Sequence, residues 1–473
     1  LDNQLMTAEE ILGKIHTVID TIIEAGKPYK GLFPSILDPQ TGEMLLTKPP
    51  KIPGQRDGDR AHLGSNLIHD EPLLQTMYAL GKPEYVEAAD SYLSHFSLNC
   101  TNTPTGLFPW GEHSFWHVLE ERVGCSRNSQ DGSAIHDHLR QVPFWLWEKL
   151  NSFNPDCVQN FADGLDYHWT QGSGYEYIRH ANIGTPSRLE RGGRSCDFPR
   201  HSGFYIFDLT FAYVQNQRSE ILDQICLMTD YWWKKRDELG LLLIESRSPK
   251  EAERFFGNNA PTQTLSLGAS LLESGDLMEP FEAELASKMR DYAKEYITGF
   301  LSAPHQLSDR KFVSLCQQET QNIVELMSTW GSVYGAGTVC GTAVLCINIW
   351  RLTQNRELLN WALTVGQAYL DEPLPIDKIT AEGFKVPAAD PGLVLGLFSD
   401  LYDVTGESNW LEAGLDLAVD VCNVYFQNSL PLGASGISWY ESQLGPAFLI
   451  HGLARLASLA QTNCILGPNY TAR

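Results

Sequence analysis

The sequence predicts an all-α fold, an (α/α)7 toroid in which helical hairpins close into a ring, with an (α/α)6 ring as the alternative. Three observations predict it. A weak long-period repeat joins an apolar, small-residue helix through a short polar turn to an amphipathic helix. Within each unit, apolar residues recur at i, i+3, i+4 and i+7, which is helical spacing. Turns inside units are short, whereas connections between units are long.

The units follow in chain order. "LLQTMYALGKPEYVEAADSYL" turns near residue 82, "PFWLWEKLNSFNPDCVQNFADGLDYHW" near 153 and "FDLTFAYVQNQRSEILDQICLMTDYWW" near 217. "LSLGASLLESGDLMEPFEAELASKMRDYAKEYI" turns near 275, "AVLCINIWRLTQNRELLNWALTVGQAYL" near 355 and "LVLGLFSDLYDVTGESNWLEAGLDLAVDVCNVYF" near 406. Gly, Asn and Asp in these turns suit tight helix–helix connections. Two helices remain. "TAEEILGKIHTVIDTIIEAG" is amphipathic, like the second helix of a unit, and "ESQLGPAFLIHGLARLASLA" is apolar, like the first. Pairing them closes the ring, so residues 1–473 read as one domain. An open helical scaffold would instead need polar caps at its ends.

Composition sets the outer limits. Of 473 residues, 43% are hydrophobic, enough for a large core. A net charge of −23 disfavours nucleic acid and anionic membranes as partners. No apolar run reaches the length of about 18 residues that marks a membrane span. The first residues lack a basic stretch followed by an apolar one, so a signal peptide is either absent or already removed. A secreted or periplasmic location is expected, with a cytoplasmic one as the alternative. None of the ten cysteines forms a CxxC pair, and buried free thiols are expected rather than a disulfide scaffold.

Function is expected on the long connections, roughly 98–128, 167–200, 240–261, 304–331, 372–389 and 428–439. Each precedes the N-terminus of an apolar helix, so positive helix ends point into one basin. Polar–aromatic clusters gather there: His69 in "GSNLIHDE"; Trp110, Glu112, His113 and Trp116 in "GLFPWGEHSFWH"; Asp137 and His138 in "AIHDHLRQ". Further along come Tyr175, Tyr177, Arg179 and His180, then Asp197, Arg200, His201 and Tyr205, then Trp330 and Tyr334, then Tyr440 and Glu441. Aromatic faces beside Arg, His and carboxylates suit a sugar site, because rings stack on a pyranose while forked donors fix its hydroxyls and carboxylates.

One segment stands out against the acidic background. "GYEYIRHANIGTPSRLERGGRSCDFPRH" holds Arg179, Arg188, Arg191, Arg194 and Arg200 but no lysine. Arginine binds planar carboxylates bidentately, and lysine does not. Arg179 and Arg200 each precede a histidine at a loop–helix junction and are the expected ligands of a carboxylate or sulfate. Arg188, Arg191 and Arg194 are expected to pair with surplus acids and pin the loop. "HDH" and "GEH" hold metal-ligand types, but no HExxH, cysteine cluster or EF-hand loop appears, so no metal and no cofactor are expected.

A ring of hairpins with aromatic, His, Arg and acid clusters at one mouth resembles the carbohydrate-active toroids. It is similar to polysaccharide lyase family 38, which contains alginate and glucuronan lyases, to the uronate-active glycoside hydrolase family 154, and to the N-acylglucosamine 2-epimerase superfamily. The resemblance is architectural and covers most of the chain. It implies action on an anionic polysaccharide or oligosaccharide. In a lyase, Arg179 and Arg200 would neutralise a uronate carboxylate. The toroidal lyases imply His or Tyr as base and acid, which here points to His113, His138, His180 and His201 as bases and Tyr177 and Tyr205 as acids, with Glu112 orienting a histidine. A hydrolase would draw two carboxylates from Glu112, Asp137, Asp197 and Glu441. An epimerase and a non-catalytic glycan-binding repeat are the remaining readings.

Overall fold

A computed structural model describes residues 6–125, 134–170, 176–189, 196–246, 255–333, 337–379 and 383–467. Tyr175, Arg191, Arg194 and Tyr334 lie outside the described residues.

The long helices are α1 (Ala8–Gly26), α2 (Leu67–Leu80), α3 (Pro83–His95), α4 (Phe144–Phe153), α5 (Pro155–Gly164), α6 (Pro199–Asn216) and α7 (Ser219–Trp233). They continue as α8 (Pro261–Met278), α9 (Ala283–Ser302), α10 (Val339–Thr353), α11 (Arg356–Asp371), α12 (Ala389–Thr405), α13 (Ser408–Tyr425) and α14 (Pro446–Thr462). Each helix from α2 onward packs on its hairpin partner, and α14 packs on α1 and α2, joining the two ends of the chain. α6 packs on α8, α8 on α10, α10 on α12 and α12 on α14, forming the inner wall of a toroid.

The two classes of helix differ as their sequences require. α2, α6, α8, α12 and α14 are buried almost all round; in α14 every residue from Pro446 to Ala457 is buried. α13 buries one stripe, Trp410, Gly414, Leu417, Ala418, Val421, Cys422 and Tyr425, and α1 does the same with Ile11, Ile15, Val18, Ile19 and Ile22. That is the pattern of an outer layer with one wet face. α4 is an inner helix that buries only Leu146, Trp147 and Leu150. Small residues set the closest crossing. A Cβ on Gly392 of α12 would stand 2.4 Å from the Phe448 carbonyl carbon of α14, and one on Gly452 would stand 2.3 Å from Gly392 O.

The connections are not plain loops. Their short strands ladder one connection to the next. β1 (Ile36–Leu37), β2 (Gly64–Ser65), β3 (Ser114–His117), β4 (Arg122–Cys125), β5 (Ile135–His136) and β6 (Ala181–Asn182) come first. β7 (Cys196–Asp197), β8 (Glu245–Ser246), β9 (Asn258–Asn259), β10 (Val313–Gln317), β11 (Ile323–Leu326) and β12 (Tyr440–Glu441) complete them. β2 pairs with β3, β5 with β6, β7 with β8 and β9 with β10, each across neighbouring connections. β1 pairs with β12, with Ile36 opposite Glu441 and Leu37 opposite Tyr440. These ladders run from the connection before α14 through the chain start to the connection before α10.

A buried ion pair reinforces the β1–β12 closure. Arg60 Nε donates to Glu441 Oε1 at 2.7 Å and Arg60 Nη2 to Oε2 at 2.9 Å. Gln55 and Trp439 donate to the same carboxylate. Cys100, Cys157, Cys316, Cys340, Cys346 and Cys422 are buried free thiols. No helix among the described residues is long and apolar enough to cross a membrane.

Candidate active site

The strand-laced face encloses a pocket of about 240 Å³. Its polar wall includes Asp59, Glu112, Arg179, Arg200, Gln263 and Gln443. Its apolar wall is built around Phe198, Phe255, Ile244 and Leu315. α6 and α8 both start at this pocket, each with proline in its first turn, where no backbone N–H is lost to the helix.

Two arginines meet on one ring. The Arg179 guanidinium lies 4.8 Å from the centroid of Phe198 and that of Arg200 lies 5.6 Å from it. Asp197 orients this corner, accepting a hydrogen bond from Arg179 N at 2.8 Å. Close to the arginines is an acid–imidazole cluster drawn from three connections: Asp59 before α2, Glu112, His113 and Asp137 before α4, and His180 before α6. His113 Nδ1 is 3.2 Å from Asp59 Oδ1, and its Nε2 is 3.6 Å from Glu112 Oε2 and 3.8 Å from Asp137 Oδ2. His180 Nε2 is 3.7 Å from Asp137 Oδ2, and the two imidazoles stand 5.2 Å apart. Glu112 N donates to Asp137 Oδ1 at 3.3 Å.

Burial and mutual charge set the protonation of the cluster. Burial pushes Asp137 up to about 7, helped by the nearby Glu112 carboxylate, against the pull of His113 and Arg179. Burial acts on Glu112 in the same direction, but His113 and Arg179 outweigh it and hold Glu112 below its usual value. Burial alone would depress His113; Asp137, Asp59 and Glu112 surround it and lift it to about 9. The backbone makes this crowding possible. Gly111 has φ +92°, and a Cβ there would stand 1.9 Å from Asp137 O.

The expected site residues fall into three groups. Glu112, Arg179 and Arg200 line the pocket, as does His69, whose Nδ1 lies 3.2 Å from Ser442 Oγ. His113 and His180 stand immediately behind Glu112, around Asp137. The others are not among the pocket-lining residues. His138 Nε2 is 2.5 Å from Asp208 Oδ2 within the core, and Asp208 also accepts from Trp147. His201 stacks on Phe204, with both ring nitrogens below the surface. Tyr177 and Tyr205 are fully buried, and burial raises both hydroxyls well above their usual range. Trp110 is buried and donates to His136 Nε2, while Trp116 is a half-buried ladder residue opposite Ser65. Tyr440 and Glu441 belong to the β1–β12 closure, and Trp330 donates to Glu372 O. Arg188 pairs with Asp166, as expected of a loop-pinning arginine.

Asp59, Phe198, Gln263 and Gln443 were not expected. Asp59 lies in "RDGDRAHLGSN", on the connection between α1 and α2, a segment of comparable length to the others. That length was the available signal. Phe198 lies inside "DFPRH", masked by its more conspicuous polar neighbours.

No protein-family model matches the sequence, and no curated protein matches it. Its likeness to solved structures lies in the fold. A D-mannose isomerase superposes with a TM-score of 0.52 at 13% identity, over 80% of this chain and 97% of the isomerase. The cellobiose 2-epimerase from Bacillus thermoamylovorans superposes with a TM-score of 0.50 at 11% identity, over 95% of this chain and 99% of the epimerase. The fold is an (α/α) toroid. The likeness reaches this toroid architecture, and not polysaccharide lyase family 38 or glycoside hydrolase family 154 in particular.

Proposed function

We propose that this toroid is a carbohydrate-active lyase that cleaves a uronic-acid-containing glycan by β-elimination. The observation that carries the reading is the pairing of Arg179 and Arg200 on Phe198, in a pocket that Glu112 and Asp59 also line. In this reading the guanidinium groups recognise a carboxylate, and the carboxylates of the same pocket accept a proton. The proton beside a uronate carboxylate at C5 becomes acidic only when that carboxylate is neutralised, which two guanidinium groups would do.

In this scheme Glu112, the pocket-lining carboxylate, accepts the C5 proton. The electron pair forms the C4–C5 double bond, and the C4–O bond to the departing sugar breaks. The departing oxygen takes a proton from water at the pocket mouth, since Tyr177 and Tyr205 do not line the pocket. Phe198 and Phe255, 5.6 Å apart and edge to face, supply an apolar wall for the pyranose.

The carboxylates fit a hydrolase less well. Retaining and inverting enzymes set two carboxyl groups apart across the bond, about 5–9.5 Å depending on outcome. Glu112 and Asp137 instead adjoin each other, Asp197 is engaged by Arg179 N, and Glu441 is engaged by Arg60. Asp59 and Glu112 both line the pocket and are the pair that a hydrolase would use.

The test is incubation with alginate, glucuronan, pectate, ulvan and glycosaminoglycans. A rise in ultraviolet absorbance from the conjugated C4–C5 double bond assigns β-elimination. Release of free uronic acid or new reducing ends without that absorbance assigns hydrolysis and sinks the lyase.

A further inference from the structure

The cluster behind the pocket has the geometry of a metal centre, although the sequence patterns contain no metal motif. His113, Asp137 and His180 each offer one ligand atom, and these atoms lie within 4.8 Å of one another. Asp137 Oδ2 stands 3.8 Å from His113 Nε2 and 3.7 Å from His180 Nε2. These separations are too long for hydrogen bonds. They suit ligands of one shared ion, because tetrahedral ligand atoms about 2.1 Å from a metal stand roughly 3.4 Å apart.

The other side of His113 supports the same arrangement. Its Nδ1 faces Asp59 Oδ1 at 3.2 Å. The Asp59 carboxylate, with Gly58 O at 3.4 Å, accepts from Nδ1–H, so that in the neutral imidazole that a metal would require the lone pair is on Nε2, beside Asp137. Metal-binding histidines are oriented in this way by a carboxylate on their second nitrogen. His113 is 1% exposed and Asp137 0%, yet His113 Nε2 and Asp137 Oδ2 have no hydrogen-bond partner. Buried polar atoms of this kind call for a ligand. His113 and Asp137 lie 24 residues apart on one connection and His180 lies on the next, so no short spacing motif marks them.

We propose that His113, Asp137 and His180 bind one divalent transition-metal ion of the Zn²⁺, Co²⁺ or Mn²⁺ class, with a further coordination position facing Glu112. Two imidazole nitrogens and one carboxylate favour such ions over Ca²⁺ and Mg²⁺, which take oxygen ligands. Glu112 Oε2 lies 3.6 Å from His113 Nε2, and Glu112 also lines the pocket. The inference rests on this cluster alone and holds whether the reaction is elimination or hydrolysis.

The experiment reads metal binding rather than turnover. The full chain is stripped with a chelator and titrated with Co²⁺, followed by visible absorption and calorimetry; Zn²⁺ is added in parallel and Tm recorded. One Co²⁺ per chain and a raised Tm with Zn²⁺ are expected. His113→Ala should lose both. Asp59→Asn keeps every ligand and should weaken Co²⁺ binding about 10–100-fold. His16→Ala, on α1, should bind as the parent does. The proposal is overturned if the stripped parent takes up no Co²⁺ and its Tm ignores Zn²⁺. It is equally overturned if Asp59→Asn and His113→Ala bind Co²⁺ as tightly as the parent. Should His113→Ala not fold, the Asp59→Asn affinity decides.

Discussion

Asp59 and Arg60 are chain neighbours with opposite assignments. Arg60 turns inward and meets Glu441 with two hydrogen bonds, fully buried, where it ties the α1–α2 connection to the last one. Asp59 turns to His113 and lines the pocket. In the clasp the Arg60 fork meets Glu441, with the exposed Asp57 carboxylate 3.5 Å from Nη1, while Gln55 and Trp439 also donate to Glu441. The site crowds Asp59, Glu112 and Asp137 around one imidazole, with two arginines lining the same cavity as Asp59 and Glu112. Like charges gathered under a cavity cost stability and create reactivity, whereas a matched pair holds the ring together.

Mutations separate the two regions. The largest effect is expected at the clasp. Glu441→Ala leaves the Arg60 charge buried without its partner and should cost about 3–5 kcal/mol in denaturant unfolding. The activity of the molecules still folded should change little. An active-site role for Glu441 would show instead as lost turnover with unchanged stability.

Next comes the pocket wall. Arg179→Ala should lower kcat/KM by roughly 10²–10³-fold, with little change in the unfolding midpoint. The loss should be greater on a uronate-containing glycan than on its carboxyl-reduced form. Equal losses on both would remove the carboxylate from the scheme.

Gly111→Ala tests the turn that brings Glu112 against Asp137. The new Cβ falls on Asp137 O at a φ of +92°. A stability loss of about 1–3 kcal/mol is expected. Turnover should fall by more than that loss accounts for, read by activity per folded molecule.

Asp390 sharpens the comparison from the other side, as a buried carboxyl without a cation. It accepts from Gly331 N at 2.8 Å, and burial pushes it up to about 8, above its unfolded value of 3.8. The protonated form is therefore favoured by folding. Its contribution is present in full below pH about 4 and is lost as pH rises through about 8. Asp390→Asn should flatten the decline of Tm across that window. A parallel decline in parent and variant would assign it to other groups.

The smallest effect is expected at Arg188. Its pair with Asp166 is partly exposed, so Arg188→Ala should cost less than about 1 kcal/mol and leave turnover unchanged.

The sequence by itself determined the toroid and its polarity. Helical spacing and the contrast between apolar and amphipathic helices are local properties, set by which face each helix must bury. The same logic pointed to the long connections, where the pocket is found, and among a larger set of candidates it named Arg179, Arg200 and Glu112, which line that pocket. Only the tertiary structure decided which of those clusters meet. Residue types shared by the pocket and the core, such as His138, His201, Tyr177 and Glu441, cannot be sorted by composition, because burial and partner choice are non-local. The ladders between connections were equally hidden. Two-residue strands carry no periodic signal, and their pairing depends on neighbours brought together by the ring. Asp59 shows the limit most clearly: its adjacent Arg60 closes the fold, and nothing in "RDGDR" says which residue turns which way.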